Sequence, residues 1–191
     1  MYVKLMTDFL MIYNPFMNHI QKVIEPTQID IIQLSATKWQ QYKSLRLRAL
    51  KEDPQAFGSS YKKELQYSDK KWQSRLTGGD LIIFANLDQQ LVGMAGAYQT
   101  DADQKSQSST IFGVFVVSEA RGKGVSRKIM KALLRLLKDR GVAQVNLTVN
   151  KDQLAAIGLY RKLGFQVIRE KKVVLGDGLE HAEIVMTKRL P

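Results

Sequence analysis

The sequence predicts a single α/β (α+β) domain built on a mixed sheet, and three observations lead there. Its 191 residues suit one compact domain and are too few for two of full size. Hydrophobic residues make up 45% and charged residues 25%, enough apolar material for a core without staples. Strand-like runs joined by hairpin turns also alternate with helical stripes long enough to act as crossovers.

The elements follow in order after Pro26. Ile29 to Leu34 is a short apolar run that reads as a first strand. Lys38 to Leu50 carries Tyr42, Leu45, Leu47 and Ala49 in an imperfect helical stripe that stops near Asp53-Pro54. Gln55 to Tyr67 reads as a loop with a turn of helix, and Asp69 to Leu76 as a short helix ended by Gly78-Gly79. Leu81–Leu87 and Gln90–Gln99 form a hairpin across Asn86-Leu87-Asp88-Gln89. The polar stretch Thr100 to Ser108 is expected to be a surface loop. Thr110 to Val117 is continuously apolar, a strand buried on both faces. A glycine turn leads into a long helix, Val125 to Arg140, whose Val125, Ile129, Ala132, Leu133, Leu136 and Leu137 should face the sheet. Val145–Val149 (strand), Leu154–Leu163 (helix), Gln166–Leu175 (strand) and His181–Thr187 (strand) complete the chain, the last two joined by Gly176-Asp177-Gly178.

Composition narrows the chemistry. Cysteine is absent, which excludes disulfides, thiolate metal sites and a cysteine nucleophile, and two histidines, at 19 and 181, make a His-rich metal site an unpromising reading. No metal is expected. The net charge of +11 points to an anionic partner: nucleic acid, a membrane surface or a phosphorylated small molecule. Met1 to Ile24 is rich in Met, Phe, Ile and Tyr, but its unbroken apolar run, Phe9 to Tyr13, stops at Asn14-Pro15, far short of the roughly 20 residues of a spanning helix. Residues 1–26 are read as an extension packing on the body or a second subunit, or as the product of an early start with Met6, Met11 and Met17 as later ones. No membrane partner is expected, the body is expected to be cytoplasmic, and a homodimer is expected from the edge strands and the apolar extension.

The most informative segment is Val116-Val117-Ser118-Glu119-Ala120-Arg121-Gly122-Lys123-Gly124-Val125-Ser126. A buried strand enters a turn with two glycines and a helix begins at once. Backbone N–H groups can converge there on an oxyanion, aided by the helix dipole and by Arg121, Lys123, Arg127 and Lys128. The run lacks the lysine placement of a P-loop and the G-x-G-x-x-G of dinucleotide sites. A tight turn that merely needs glycine is the plain alternative.

Arg121 to Ser126 resembles the cofactor loop of the GCN5-related N-acetyltransferases. Asn150 through Ala156-Ile157-Gly158-Leu159-Tyr160-Arg161-Lys162-Leu163-Gly164-Phe165 resembles the second motif of that family. The likeness spans about Ile29 to Leu190, with Ser126 in a slot usually held by Gly or Ala and Gln153 where Asn is common. It implies one domain, taken as 27–191, with a central mixed, mostly antiparallel, six- to seven-stranded twisted sheet and about four flanking helices. It also implies direct transfer of acetyl from acetyl-CoA to a primary amine of a small molecule or peptide terminus. Arg121, Gly122, Lys123, Gly124, Val125 and Ser126 would then hold the pyrophosphate, and Phe115, Val116 and Val117 would pair with the pantetheine arm. Val117 N–H would be the oxyanion donor, Asn150 would bond a pantetheine amide, and Tyr160 would protonate the leaving thiolate. The base stays open between Glu64, Glu119 and a water chain. The acceptor pocket is expected around Ala56 to Tyr61, Trp72 and the hairpin Leu175 to His181. A non-catalytic basic module for nucleic acid or CoA is the rival reading; clustering of charge at a glycine turn and the lack of a nucleic-acid motif argue against a nucleic-acid partner.

Overall fold

A computed structural model describes residues 28–191; the predicted extension 1–26 lies outside the described residues. The order is β1 (Asp30–Ile32), α1 (Trp39–Glu52), α2 (Tyr61–Leu65), α3 (Asp69–Thr77), β2 (Leu81–Leu87), β3 (Gln90–Tyr98) and α4 (Asp101–Lys105). It continues with β4 (Ser108–Val116), α5 (Val125–Asp139), β5 (Gln144–Asn150), α6 (Leu154–Lys162), β6 (Gln166–Val174) and β7 (Glu180–Arg189). The strands form one sheet in the order β1-β2-β3-β4-β5-β7-β6. Every neighbouring pair is antiparallel except β4 and β5. The exception follows from connectivity: α5 carries the chain back to the start of the sheet, so β5 must run the same way as β4.

Seven strands agree with the expectation, while the α-helices number six among the described residues. The two extra ones are five residues long and depend on local caps. Thr100 and Asp103 cap α4 reciprocally: Thr100 N–H donates to Asp103 Oδ2 at 2.9 Å and Asp103 N–H to Thr100 Oγ1 at 3.2 Å. The predicted polar loop is therefore a capped turn of helix. Ser60 caps α2 by accepting from Lys63 N–H.

The helices occupy both faces of the sheet. A side chain at Gly93 would collide with Ile129 Cδ1 at 2.7 Å, so α5 lies against that face of β3. Phe84 pairs with Met94, one residue out of phase with the Ala85–Gly93 pair, and its ring meets Tyr42 of α1 edge-on at 5.5 Å. Successive strand residues point to opposite faces, so α1 lies across the sheet from α5. The buried stripe of α5 is Val125, Ile129, Met130, Leu133, Leu134 and Leu137, turned from the predicted one so that Ala132 and Leu136 are half-buried. Arg127, Lys131, Arg135 and Lys138 are all exposed, so this part of the positive charge is a solvated helix face. Among the described residues no helix is long and apolar enough to cross a membrane.

Candidate active site

The site begins where two strands separate. β4 and β5 pair only from Ser108↔Gln144 to Ile111↔Leu147, although β4 runs on to Val116 and β5 to Asn150. The register between β3 and β4 shifts between Met94 and Gly96, and Gly113 has φ +65°. An extra residue on β4 bends it, the usual effect of a bulge, and here the bend faces the parallel neighbour. Beyond it, Val117 N–H donates to the Val92 carbonyl at 3.0 Å.

That bond occupies the N–H of Val117, the expected oxyanion donor. The N–H of Val117 is engaged with β3 and points away from the opening. Strand hydrogen bonding alternates, so Val116 directs its amide to the β5 side. The Val116 carbonyl agrees, since it accepts from Arg121 Nε at 3.0 Å. Phe115 is buried, with the Arg121 guanidinium 5.8 Å from its ring centre.

The glycine turn lies at the end of the same strand. Gly122 and Gly124 have φ +76° and +79°, and a side chain at either would meet nothing within 4 Å. Glycine is needed here for backbone conformation rather than for packing. Gly124 caps α5 without a side-chain hydrogen bond, and the first helical bond is Lys128 N–H to its carbonyl. The N–H groups of Val125, Ser126 and Arg127 thus have no helical acceptor and face an open turn at the positive end of the dipole. A phosphate fits this arrangement of donors. Val125 is buried and anchors the helix, Ser126 is half-buried, and Lys123 is exposed. Two of the predicted cations are diverted: Arg121 pairs with Asp53 at 2.6 Å, and Lys128 Nζ donates to the Ile29 carbonyl.

β5 hands the chain to α6 across the opening. Tyr160 on α6 is buried, its ring 6.0 Å from that of Phe165. Burial alone pushes its phenol pKa up, so the hydroxyl keeps its proton at neutral pH. Asn150, at the end of β5, is committed to protein partners. Its Nδ2 donates to the Gln55 carbonyl at 3.2 Å and lies 3.3 Å from His181 Nδ1, while its Oδ1 accepts from Asp152 N–H at 3.0 Å. The other ring nitrogen, His181 Nε2, lies within hydrogen-bond distance of Asp177 Oδ2 at 2.7 Å. Asn150 thereby ties the end of β5 to the loop at Gln55 and, through His181, to the β6–β7 hairpin.

Neither carboxylate considered as a base is free. Glu64 is 1% exposed, accepts from Arg46 Nε and Nη2 at 3.1 and 2.7 Å, and accepts from Arg75 Nη1 at 2.8 Å. Burial acts to raise its pKa, but the hydrogen bonds and charges of Arg46 and Arg75 outweigh burial and hold the carboxyl below its ordinary value. Glu119 is exposed and accepts from Arg48 at 2.7 and 2.6 Å. Its own backbone N–H first, then Arg48, keep its carboxyl low.

The sequence reading gave no role to Arg46 or Arg75, and reached Asp177 and His181 only as part of the hairpin Leu175 to His181. Arg46 did leave a signal. The buried positions of α1 are Tyr42, Leu45, Arg46, Ala49 and Leu50, a regular helical stripe in which a cation replaces an apolar residue. The acceptor-side loops do meet: Gly176 N–H donates to the Phe57 carbonyl at 2.7 Å. Trp72 is fully buried and serves packing.

Comparison with known proteins agrees with this architecture. Human N-acetyltransferase 8B is 30% identical over 89 residues, 46% of this chain and 39% of that protein, so the match spans about two-fifths of the relative. The ribosomal-protein-S18-alanine N-acetyltransferase of Escherichia coli shares the fold at TM-score 0.65 and 21% identity, over 85% of this chain and 94% of that one. The Salmonella typhimurium protein yncA, solved with its cofactor acetyl-CoA, does so at 0.71 and 16%, over 86% and 95%. The model of the acetyltransferase (GNAT) family matches residues 46–165, from the buried arginine of α1 through the glycine turn to Phe165, and the chain belongs to that family.

Proposed function

We propose that this chain is an acetyl-CoA-dependent N-acetyltransferase, with residues 27–191 as its catalytic unit, acting directly on a primary amine. The observation that carries the reading is the uncapped N-terminus of α5 beside the separated ends of β4 and β5. The helix N–H groups of Val125, Ser126 and Arg127 hold the pyrophosphate, and the separated edge of β4 pairs with the extended pantetheine. The amide of Val116 faces the thioester, where it can stabilise the oxyanion formed as the amine attacks. When the carbon–sulfur bond breaks, the departing thiolate takes the proton of Tyr160, and the phenolate regains one from the cationic nitrogen of the tetrahedral intermediate as it becomes the amide. The acceptor ammonium gives its proton to water, because Glu64 and Glu119 are both held by arginines.

The test is release of free CoA thiol from acetyl-CoA with a panel of amino acids, amines, polyamines and peptides, beside calorimetric titration of acetyl-CoA. Binding together with amine-dependent thiol release is expected. No acetyl-CoA heat, with strong salt-dependent binding of RNA or DNA, would establish the rival reading instead.

A further inference from the structure

The cluster under α1 carries more positive than negative charge. Arg46 and Arg75 share one carboxylate, Glu64, and the side chains of Arg46 and Glu64 are only 8% and 2% exposed. Glu64 grips Nε and Nη2 of Arg46, one edge of the guanidinium fork. Nη1 has no hydrogen-bond partner among the described residues. Phe57 holds the plane of the group from one side, its ring centre 4.6 Å from Cζ.

The free edge faces the β4 bulge. A side chain on Gly113 would touch Arg46 Nη1, at 3.9 Å, and nothing else within 4 Å, so the guanidinium lies one methyl's width from the bulge backbone. That bulge is where β4 leaves β5, three residues before Val116, whose amide faces the thioester in the reading above. A buried cation with one edge spoken for and the other turned to the strand bulge where β4 leaves β5 is suited to a second carboxylate.

The same surroundings disfavour a polycation. Of the carboxylates on the site's own loops, Glu64 and Glu119 are taken by arginines and Asp53 by Arg121, while Asp177 is hydrogen-bonded to His181 and lies at the exposed turn of the β6–β7 hairpin. Asp80 and Asp152, in neighbouring turns and without an ion pair, are exposed to water. A second ammonium entering beside Arg46 would find repulsion and no free buried anion.

We infer that Arg46 is a specificity-determining residue, and that the acceptor is an amine bearing a carboxylate a few bonds from its nitrogen, as in a free amino acid. Arg46 Nη1 holds that carboxylate while the amine reaches the thioester. This rests on the acetyl-transfer reading and names its substrate class. A peptide N-terminus, whose first carboxyl is an amide, lacks the group that Arg46 reads.

The test uses product-like probes, so that it does not depend on turnover. Binding of N-acetylglycine and of N-acetylglycinamide to the whole protein is measured by calorimetry, with spermidine and acetyl-CoA titrated in parallel. At least tenfold tighter binding of the carboxylate over the amide is expected. Arg46→Gln, in which Glu64 keeps Arg75, should abolish that preference and leave acetyl-CoA affinity unchanged. Arg46→Lys, which retains the ion pair and loses the fork, should reduce the preference at least threefold and serves if the first variant does not fold. Equal binding of the two probes, tight binding of spermidine, or a preference that survives both substitutions would overturn the inference. If acetyl-CoA binds and the carboxylate preference is missing, this inference alone fails. If acetyl-CoA does not bind, the acetyl-transfer reading fails, and the probe comparison still decides whether Arg46 reads a carboxylate.

Discussion

Substituting Glu64→Gln separates a structural role from a basic one. The variant removes one negative charge from beneath two guanidiniums whose side chains are 8% and 23% exposed. Breaking a buried pair by removing one partner costs about 3–5 kcal/mol, because the remaining charge keeps its desolvation penalty. The access of water to Arg75 places this case at the lower end, about 3 kcal/mol. For a chain of this size each kcal/mol shifts Tm by roughly 2–4 °C, so a fall of roughly 6–12 °C is expected. Acidity gives the effect a signature. Because the arginines hold the folded-state pKa of Glu64 below its ordinary value of 4.5, its stabilising contribution is fully present above that value. It is lost as pH falls through the lowered folded-state pKa, so the gap in Tm between wild type and variant narrows on acidification. Thermal and urea unfolding at pH 7.5 and in a descending series below pH 4.5 would measure both. A loss under about 1 kcal/mol at pH 7.5, the worth of an exposed pair, or a gap that widens in acid, would refute the reasoning.

Three further outcomes follow from the same geometry. Tyr160→Phe removes a buried hydroxyl whose pKa is raised by burial alone, so Tm should change little. Turnover should fall by about 10²-fold or more with acetyl-CoA affinity retained, and unchanged turnover in the thiol-release assay removes Tyr160 from the acid role. Gly124→Val places a β-branched residue at φ +79° with no steric clash, so its effect is conformational strain of about 1–3 kcal/mol in the turn. Acetyl-CoA affinity should drop at least tenfold by calorimetry, and tight binding would sink the assignment of the turn. Gly176→Ala would put a methyl 2.3 Å from the Ser59 carbonyl oxygen and 2.9 Å from that of Pro54, backbone atoms that cannot give way. Faster hydrogen exchange across the β6–β7 hairpin and a raised KM for the acceptor are expected, and unaltered exchange would show that the contact with the Phe57 loop is dispensable.

Signals carried by contiguous residues were read correctly. Gly122 and Gly124 before an apolar helical stripe specify a turn opening into a helix, and Asp88-Gln89 between two apolar runs specifies a hairpin, because backbone conformation responds to neighbours in sequence. The helix at Asp101–Lys105 was misread as loop, since its stability comes from reciprocal capping by Thr100 and Asp103 rather than from a buried face. Arg46 was legible in principle as the one charge in the stripe of α1.

What the sequence could determine by itself was the order of elements, the mixed sheet, the family motifs and the glycine turn that opens into α5. Only the tertiary structure decided how each polar group is spent. Glu64 meets arginines 18 and 11 residues away, Arg48 reaches Glu119 over 71 positions, and Asn150 reaches Gln55 over 95. Val117 gives its N–H to Val92 and not to the opening for the same reason: a bulge elsewhere in the ladder sets which edge each amide faces. A charge or an amide has chemistry only once its partners are known, and those partners are chosen by packing between distant segments.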